Sequence, residues 1–322
     1  MKEFELIERY FSPHKNRKDV VLSIGDDAAI VTPTQGRRLA ISSDTMVEGV
    51  HFFPDIPPEA LAHKILAVNL SDLAAMGAEP AWFTLNLSLP KVRPAWLEKF
   101  SAGLFKTAQY YGVQLIGGDT TSSSVLTLSL TIQGYLPENK GMVRSGANIG
   151  DWIFVTGQLG DSGLALSYLQ NKTELSAGHV TSVLDRHYYP EPRVLAGQVI
   201  RDHATSCIDL SDGLASDLKH ILKASEVGAA INLDQLPLSK AMQSSLDLES
   251  SLKMALTSGE DYELLFTIPA ANRQAVVDVL SASNLSATCI GQITSGNNIS
   301  YRYEDKPWRL DVAGYQHFET EL

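Results

Sequence analysis

The sequence predicts an α+β protein of two domains. Three observations carry this reading. Residues 83–89 and 126–133 alternate apolar and polar side chains, as strands with one buried face do. A helical stripe of Leu97, Phe100, Leu104, Ala108 and Tyr111 lies between them, and strands and helices mix throughout without a strict βαβ rhythm. The texture then changes around Arg144–Ala147, which sets the domains at 1–149 and 150–322.

Taken in order, Phe4 to Phe11 forms a short amphipathic helix closed by Ser12-Pro13. Ile24 to Val31 puts Asp26 and Asp27 at a Gly25 turn that enters a strand. Arg38 to Ser43 is a strand running straight into Asp44-Thr45, followed by the loop Gly49–Pro54 with His51 and two aromatic rings. The stretch from Ile65 to Ala78 is a helix whose only charge is Asp72. At helical spacing Asp72 continues the stripe of Leu61, Ile65, Val68 and Ala75, a face that looks buried. Gly112 stops the helix that carries Tyr111, and a strand from Val113 to Ile116 delivers Gly117-Gly118-Asp119-Thr120-Thr121.

In the second domain Trp152 to Thr156 is a strand, and Gly157 to Gly163 opens a helix. Helices near 177–187 and 191–203 precede a strand from Ser206 to Leu210, which ends at Ser211-Asp212-Gly213. Asp217 to Ser225 is helical, while Ala229 to Leu233 and Tyr262 to Ile268 are strands. Pro269 to Ser283 is a helix opening on proline, and Thr288 to Ile293 is the final strand.

Composition narrows the function. A net charge of −11 argues against nucleic acid, whose phosphates call for Lys and Arg in excess. No apolar run reaches membrane-spanning length and Met1–Glu5 opens no leader, so a cytoplasmic protein without a membrane partner is expected. Cys207 and Cys289 sit in strand-like apolar segments and are expected to be buried thiols. There is no G-x-x-x-x-G-K-[ST], no H-R-D or D-F-G, and no G-x-S-x-G.

What recurs instead is aspartate at the ends of apolar segments: Asp26, Asp27, Asp44, Asp72, Asp119, Asp209 and Asp212. Each alone has an ordinary explanation as a cap or turn residue. Converging, two carboxylates about 4 Å apart would repel by roughly 4 kcal/mol at an effective dielectric of about 20. Divalent cations resolve that repulsion. An all-oxygen donor set without His–Cys clusters favours Mg²⁺, which in turn marks phosphate chemistry.

The motifs Ile24-Gly25-Asp26-Asp27-Ala28, Ser42-Ser43-Asp44-Thr45, Gly49-Val50-His51-Phe52, Asn69–Ala78, Gly117–Thr121, Ile208–Leu214 and Gly259-Glu260-Asp261-Tyr262-Glu263-Leu264 occur in that order. Together with Gly314–Phe318 they resemble the bacterial thiamine-monophosphate kinase family over essentially the whole chain. Several also belong to the wider superfamily of aminoimidazole ribonucleotide synthetase. The resemblance implies an N-terminal β-rich dimerising domain that binds ATP and Mg²⁺, and a C-terminal α/β domain completing an active cleft. It implies a homodimer that phosphorylates thiamine monophosphate to thiamine diphosphate with ATP and several Mg²⁺ ions.

Carried over by motif, Asp27, Ser42, Ser43, Asp44, Asp72, Asp119, Asp209 and Asp212 would be the metal ligands. Tyr111, Gly118, Asp119, Arg144 and Ser211 would contact ATP, and His51, Glu260 and Tyr315 the thiamine moiety. Where many relatives continue Gly-Gly-Asp-Thr-Thr with Arg-Gly, this chain has Ser122-Ser123. A phosphate monoester acceptor, with a second pKa of about 6, is already largely anionic at neutral pH, so neither a general base nor a nucleophile is expected. No Ser–His pairing is suggested by local sequence. Two rivals are an ATP-using synthetase of the same fold acting on a purine precursor, and a binding scaffold without turnover.

Overall fold

The computed structural model describes residues 3–12 and 17–309. The chain divides into two compact units, Met1–Leu73 with Ala78–Lys140, and Ala74–Gly77 with Gly141–Leu322. The change of unit thus falls at Lys140–Gly141, whereas the sequence reading sets it near Gly150. Segment 74–77 groups with the second unit because Met142 N–H bonds Met76 O at 3.1 Å and the Gly197 backbone packs against the Ala74 carbonyl.

The first unit runs α1 (Glu3–Phe11), β1 (Val20–Leu22), β2 (Ile30–Val31), β3 (Arg37–Val47), α2 (Pro58–Ala75), β4 (Glu79–Leu89), α3 (Pro94–Tyr111), β5 (Gln114–Ser122) and β6 (Thr127–Pro137). Its four-stranded sheet has the order β3-β6-β4-β5, with β4 and β5 parallel and the other pairs antiparallel. The alternation seen in sequence is that of β4 and β6. Phe83, Leu85, Leu87, Leu128, Leu130 and Ile132 are buried, while Thr84, Ser88, Ser129 and Thr131 are half-buried on the second face. Helix α3 buries Leu97, Phe100, Leu104 and Ala108 as its stripe requires, leaving Tyr111 half-buried at its end.

Two of these strands are longer than predicted. β3 continues to Val47, so Asp44 lies inside a strand. β5 continues to Ser122 because Gly117–Ser122 pairs in parallel with Thr84–Leu89. Gly118 makes this possible: its φ is +146°, and a Cβ there would collide with the Leu85 carbonyl oxygen. Helix α2 also differs from the one-faced helix expected. From Ala60 to Ala75 every residue is buried except His63 and Asp72, so Asp72 sits at an opening in a helix covered almost all round.

The second unit contains β7 (Trp152–Thr156), α4 (Asp161–Leu169), α5 (Ala177–Tyr188), α6 (Val194–Ile200), β8 (Ser206–Asp209), α7 (Leu214–Ser225) and β9 (Gly228–Asn232). It continues with α8 (Lys240–Ser245), α9 (Leu248–Thr257), β10 (Leu264–Ile268), α10 (Arg273–Ala282), β11 (Ala287–Thr294), β12 (Ile299–Tyr303) and β13 (Lys306–Trp308). The seven-stranded sheet has the order β13-β12-β9-β11-β7-β10-β8, and only β9 and β12 pair in parallel. Ile153, Val155, Ile231, Leu265 and Ile290 of the strands pack with Leu218, Ile221 and Leu222 of α7.

Several expectations are corrected here. Helices α8 and α9 fill a stretch for which the sequence suggested no element, although each carries a side-chain cap. Ser239 accepts from Met242 N–H and Asp247 from Ser250 N–H. The strand at 288–293 is not the last, since β12 and β13 follow it. β10 starts at Leu264 instead of Tyr262, because Glu260 and Tyr262 hold φ values of +67° and +50°, which no strand accommodates. Cys207 is buried as expected, but Cys289 is only half-buried; both are free thiols. Among the described residues no helix is long and apolar enough to cross a membrane.

Candidate functional site

In the first unit the functional face begins with strand alternation on β3. Ser42 and Asp44 point to one side, and Ser43 to the other, where its Oγ donates to Leu130 O at 3.1 Å and lies 2.9 Å from Thr131 Oγ1. Only the Ser43 backbone could therefore share a site with Asp44. Across from β3, Asp72 of α2 accepts a hydrogen bond from Ser42 Oγ at 2.5 Å. Burial, and then the charge and hydrogen bonding of neighbouring Asp72, push the Asp44 carboxyl up to about 7. Two carboxyls and a hydroxyl thus converge on one side, and at neutral pH they can hold their full charge only beside a cation.

That donor set is all oxygen and fits Mg²⁺. Among the described residues no group of three or more His, Cys, Asp or Glu side chains is gathered to hold a metal ion. The wider convergence of aspartates expected from the sequence is thus limited here to the Asp44–Asp72 pair, and Mg²⁺ commonly takes only one or two carboxylates beside water and substrate phosphates. Asp27 and Asp119 lie elsewhere in the unit, lining a cavity of about 580 Å³ together with Asp26, Gly118, Leu85 and Leu115. Phe4, Ile7 and Phe11 of α1 and Ile24 close its apolar side. Sequence reasoning missed those four, since the α1 stripe looks like ordinary core. His51 Nδ1 accepts from Val47 N–H at 3.0 Å, which leaves the proton of the neutral ring on Nε2. Tyr111 makes an edge contact with Tyr110, with ring centroids 4.8 Å apart.

In the second unit two loops are strapped together by their backbones. Glu260 N–H bonds Ser211 O at 2.8 Å, Tyr262 N–H bonds Leu210 O at 2.9 Å, and Leu210 N–H bonds Glu263 O at 2.8 Å. Gly259 is required at the crossing, because a Cβ there would run into the Ser211 carbonyl oxygen. Asp209, buried at the end of β8, and Ser211 and Asp212 beyond it are therefore held against the loop that carries Glu260.

Asp217, in the first turn of α7, accepts from Asp212 N–H at 3.0 Å. Burial outweighs its hydrogen bonds and pushes its carboxyl up to about 7. Sequence reading passed over Asp217 because an acidic first helical turn is commonplace. Arg144 is exposed, and its charge reaches Asp217. The segment after it is pinned by Ser225 Oγ, which accepts from Gly146 and Ala147 N–H. Tyr315 lies outside the described residues.

Around the Glu260 loop the side chains form a dense polar cluster. Asp261 Oδ2 accepts from Gly160 N–H at 2.7 Å. Glu263, almost fully buried, accepts two hydrogen bonds from Arg193, both at 2.6 Å, and one from Thr156 Oγ1 at 2.5 Å. His187 Nδ1 lies 2.9 Å from Ser162 Oγ and 3.5 Å from Glu260 Oε2. This is a Ser–His pairing that local sequence did not suggest, its members being 25 residues apart.

Asp161, also buried, accepts from Ser239 Oγ at 2.5 Å, yet burial holds its carboxyl above the usual range. The folded state therefore binds a proton that the unfolded chain releases near pH 4, and this contribution to stability fades as pH rises. Asp161→Asn is expected to gain stability relative to the parent from pH 4 upward until the folded Asp161 carboxyl itself ionises, and then to level off. Thermal melts across that range check it; a constant difference would mean the Asp161 carboxyl titrates normally.

The comparisons with known proteins bear on this arrangement. Residues 25–136 match the family model described as AIR synthase related protein, N-terminal domain, and residues 148–304 match that of its C-terminal domain. The chain is 51% identical over 321 residues to the thiamine-monophosphate kinase of Escherichia coli strain K12, covering 99% of this chain and 98% of the relative. It belongs to the thiamine-monophosphate kinase family.

The fold agrees with that family. The thiamine-monophosphate kinase structure from Stenotrophomonas maltophilia K279a superposes with a TM-score of 0.84 at 40% identity, covering 90% of this chain and 93% of that one. A structure of AaThiL complexed with AMPPCP and TMP has a TM-score of 0.78 at 30% identity, with 92% of each chain covered.

Proposed function

We propose that this chain transfers the γ-phosphoryl group of ATP directly to thiamine monophosphate, forming thiamine diphosphate. The observation that carries the proposal is the Asp44–Asp72 carboxyl pair with Ser42, an all-oxygen set gathered on one side as a cation bridging phosphates requires. The family relationship, and the AMPPCP and TMP bound by AaThiL, supply the two substrates.

Asp44, Asp72 and Ser42 would hold Mg²⁺, and Asp27, Asp119, Asp209 and Asp212 are the further oxygen ligands proposed. When bound, the ion supplies neutralisation of phosphate charge. Gly118, Asp119, Tyr111, Arg144 and Ser211 serve ATP, and the apolar wall of Phe4, Ile7 and Phe11 beside Gly118 suits a nucleobase. His51 offers its Nε2–H and Glu260 its carboxylate to the acceptor, with Tyr315 as an aromatic face for a cationic ring.

The acceptor oxygen needs no base, being largely ionised at neutral pH. Neither Cys207 nor the Ser162–His187 pairing offers a nucleophile. Cys207 is buried with its thiol pushed far up by desolvation, and the Ser162 hydroxyl is buried as well.

The proposal includes a homodimer formed through the N-terminal unit and a cytoplasmic setting. Edge strand β3 supports the former, exposing Leu39 and Ile41 on the face away from Asp44. The test is a coupled assay with ATP, Mg²⁺ and thiamine monophosphate, run beside a purine-precursor acceptor. Thiamine diphosphate should form, and γ-labelled ATP without acceptor should leave no label on denatured protein. Preference for the purine precursor would overturn the substrate, and stoichiometric label would overturn direct transfer.

A further inference from the structure

The loop that carries Glu260 is held in a backbone that few residues adopt. Glu260 and Tyr262 both have positive φ, and Asp261 between them is drawn down onto the start of α4. Such a loop fixes where the Glu260 Cα sits, but its side chain still has three rotatable bonds. Something must choose among the rotamers if the carboxylate is to meet a ligand in one orientation.

The group in place to do so is His187. It projects from the last turn of α5, is 3% exposed, and brings Nδ1 to within 3.5 Å of Glu260 Oε2. Its ring is held in turn by Ser162, 2% exposed in the first turn of α4, at 2.9 Å from the same nitrogen. A Ser–His–Glu grouping invites comparison with a nucleophilic triad, but the geometry is wrong for one. A triad uses the two opposite ring nitrogens, one for serine and one for the carboxylate. Here both partners meet Nδ1, and the serine hydroxyl is sealed from solvent.

We propose that His187, oriented by Ser162, is a positioning residue that sets the Glu260 carboxylate for the acceptor. The proposal rests on the reading that Glu260 contacts thiamine monophosphate. The start of α4 then holds the loop twice, through its backbone N–H at Asp261 and through Ser162 and His187 at Glu260. The acceptor, a cationic thiazolium joined to an amino-bearing pyrimidine, would meet a carboxylate already turned toward it.

The test is steady-state kinetics of the full-length protein with ATP, Mg²⁺ and thiamine monophosphate, for His187→Ala, Glu260→Ala and the double variant. His187→Ala is expected to raise KM for thiamine monophosphate about tenfold, as the 3.5 Å polar contact that orients the Glu260 carboxylate is lost, while kcat and KM for ATP change less than about threefold. In the Glu260→Ala background it should add nothing further, as two residues acting through one contact require. His187→Asn, which keeps an N–H donor near Nδ1, should recover most of the KM.

If Glu260→Ala leaves KM for thiamine monophosphate unchanged, the substrate reading fails and the positioning role with it. If Glu260→Ala raises that KM but His187→Ala does not, only the positioning role is overturned. The same holds if the two effects add in full, or if both substrates' KM values rise together. Should His187→Ala fail to fold, His187→Asn and Ser162→Ala decide: near-parent KM for the first and a raised KM for the second support the role, and equal values overturn it.

Discussion

Asp72→Asn is expected to keep its fold and lose at least about a hundredfold in kcat, the scale on which one preorganised electrostatic contact acts in phosphoryl transfer. The substitution preserves volume, and an Asn oxygen can still accept from Ser42 Oγ, so the packing of α2 against β3 has no reason to change. What disappears is one of two negative charges gathered where a cation is proposed. The same change removes one of the causes that push the Asp44 carboxyl up, so Asp44 should titrate closer to an ordinary carboxylate. Melting of the metal-free variant at neutral pH should therefore match or exceed that of the parent while turnover collapses. A variant with parental turnover would make Asp72 a structural residue and remove the main support for the metal site.

Arg193→Ala is expected to destabilise the second unit by about 3–5 kcal/mol, the usual cost of stripping one partner from a buried ion pair. Glu263 has a 3% exposed side chain and takes two of its hydrogen bonds from Arg193, leaving one from the Thr156 hydroxyl. Water cannot replace the lost guanidinium at such depth. For a unit of this size the melting temperature should fall by about 10 °C or more. Replacing both residues, Arg193→Met with Glu263→Gln, should recover much of the loss, because no buried charge is then stranded. Thermal and urea melts check both. A drop of under about 1 kcal/mol would show that the pair behaves as a surface ion pair.

Much of the first unit was legible because its signals are local. The apolar–polar alternation of residues 83–89 and 126–133 is set by the two-residue period of a strand, and β4 and β6 bury those same side chains. The helix stripe from Leu97 to Tyr111, buried as far as Ala108, and the Gly112 stop were equally readable, Gly112 adopting φ +67° as the cap. Asp44 and Asp72 could be singled out as carboxylates needing a partner, and the structure makes them each other's neighbour. Burial went wrong for Asp72 because α2 is covered on nearly every side, and a helix apolar all round has no stripe to extrapolate. Ser43 was carried over with Ser42 by motif, and strand geometry turns its side chain to the opposite face, leaving its backbone on the side of Asp44.

Beside the family resemblance carried by its ordered motifs, the sequence by itself determined the α+β class, the existence of most periodic elements and the aspartate-rich character of the chemistry. Each of these depends on residue type and short-range spacing, which a linear chain displays directly. Tertiary structure alone decided which distant groups meet. Arg193 and Glu263 are 70 residues apart, Ser162 and His187 are 25 apart, and Asp161 finds Ser239 across 78. It also decided the left-handed backbone at Glu260 and Tyr262, since that conformation is imposed by bonds to Ser211 and Leu210 and not by the residues' own preference. Long-range pairing and imposed backbone have no local signature, because the energy that fixes them comes from partners the sequence does not place nearby.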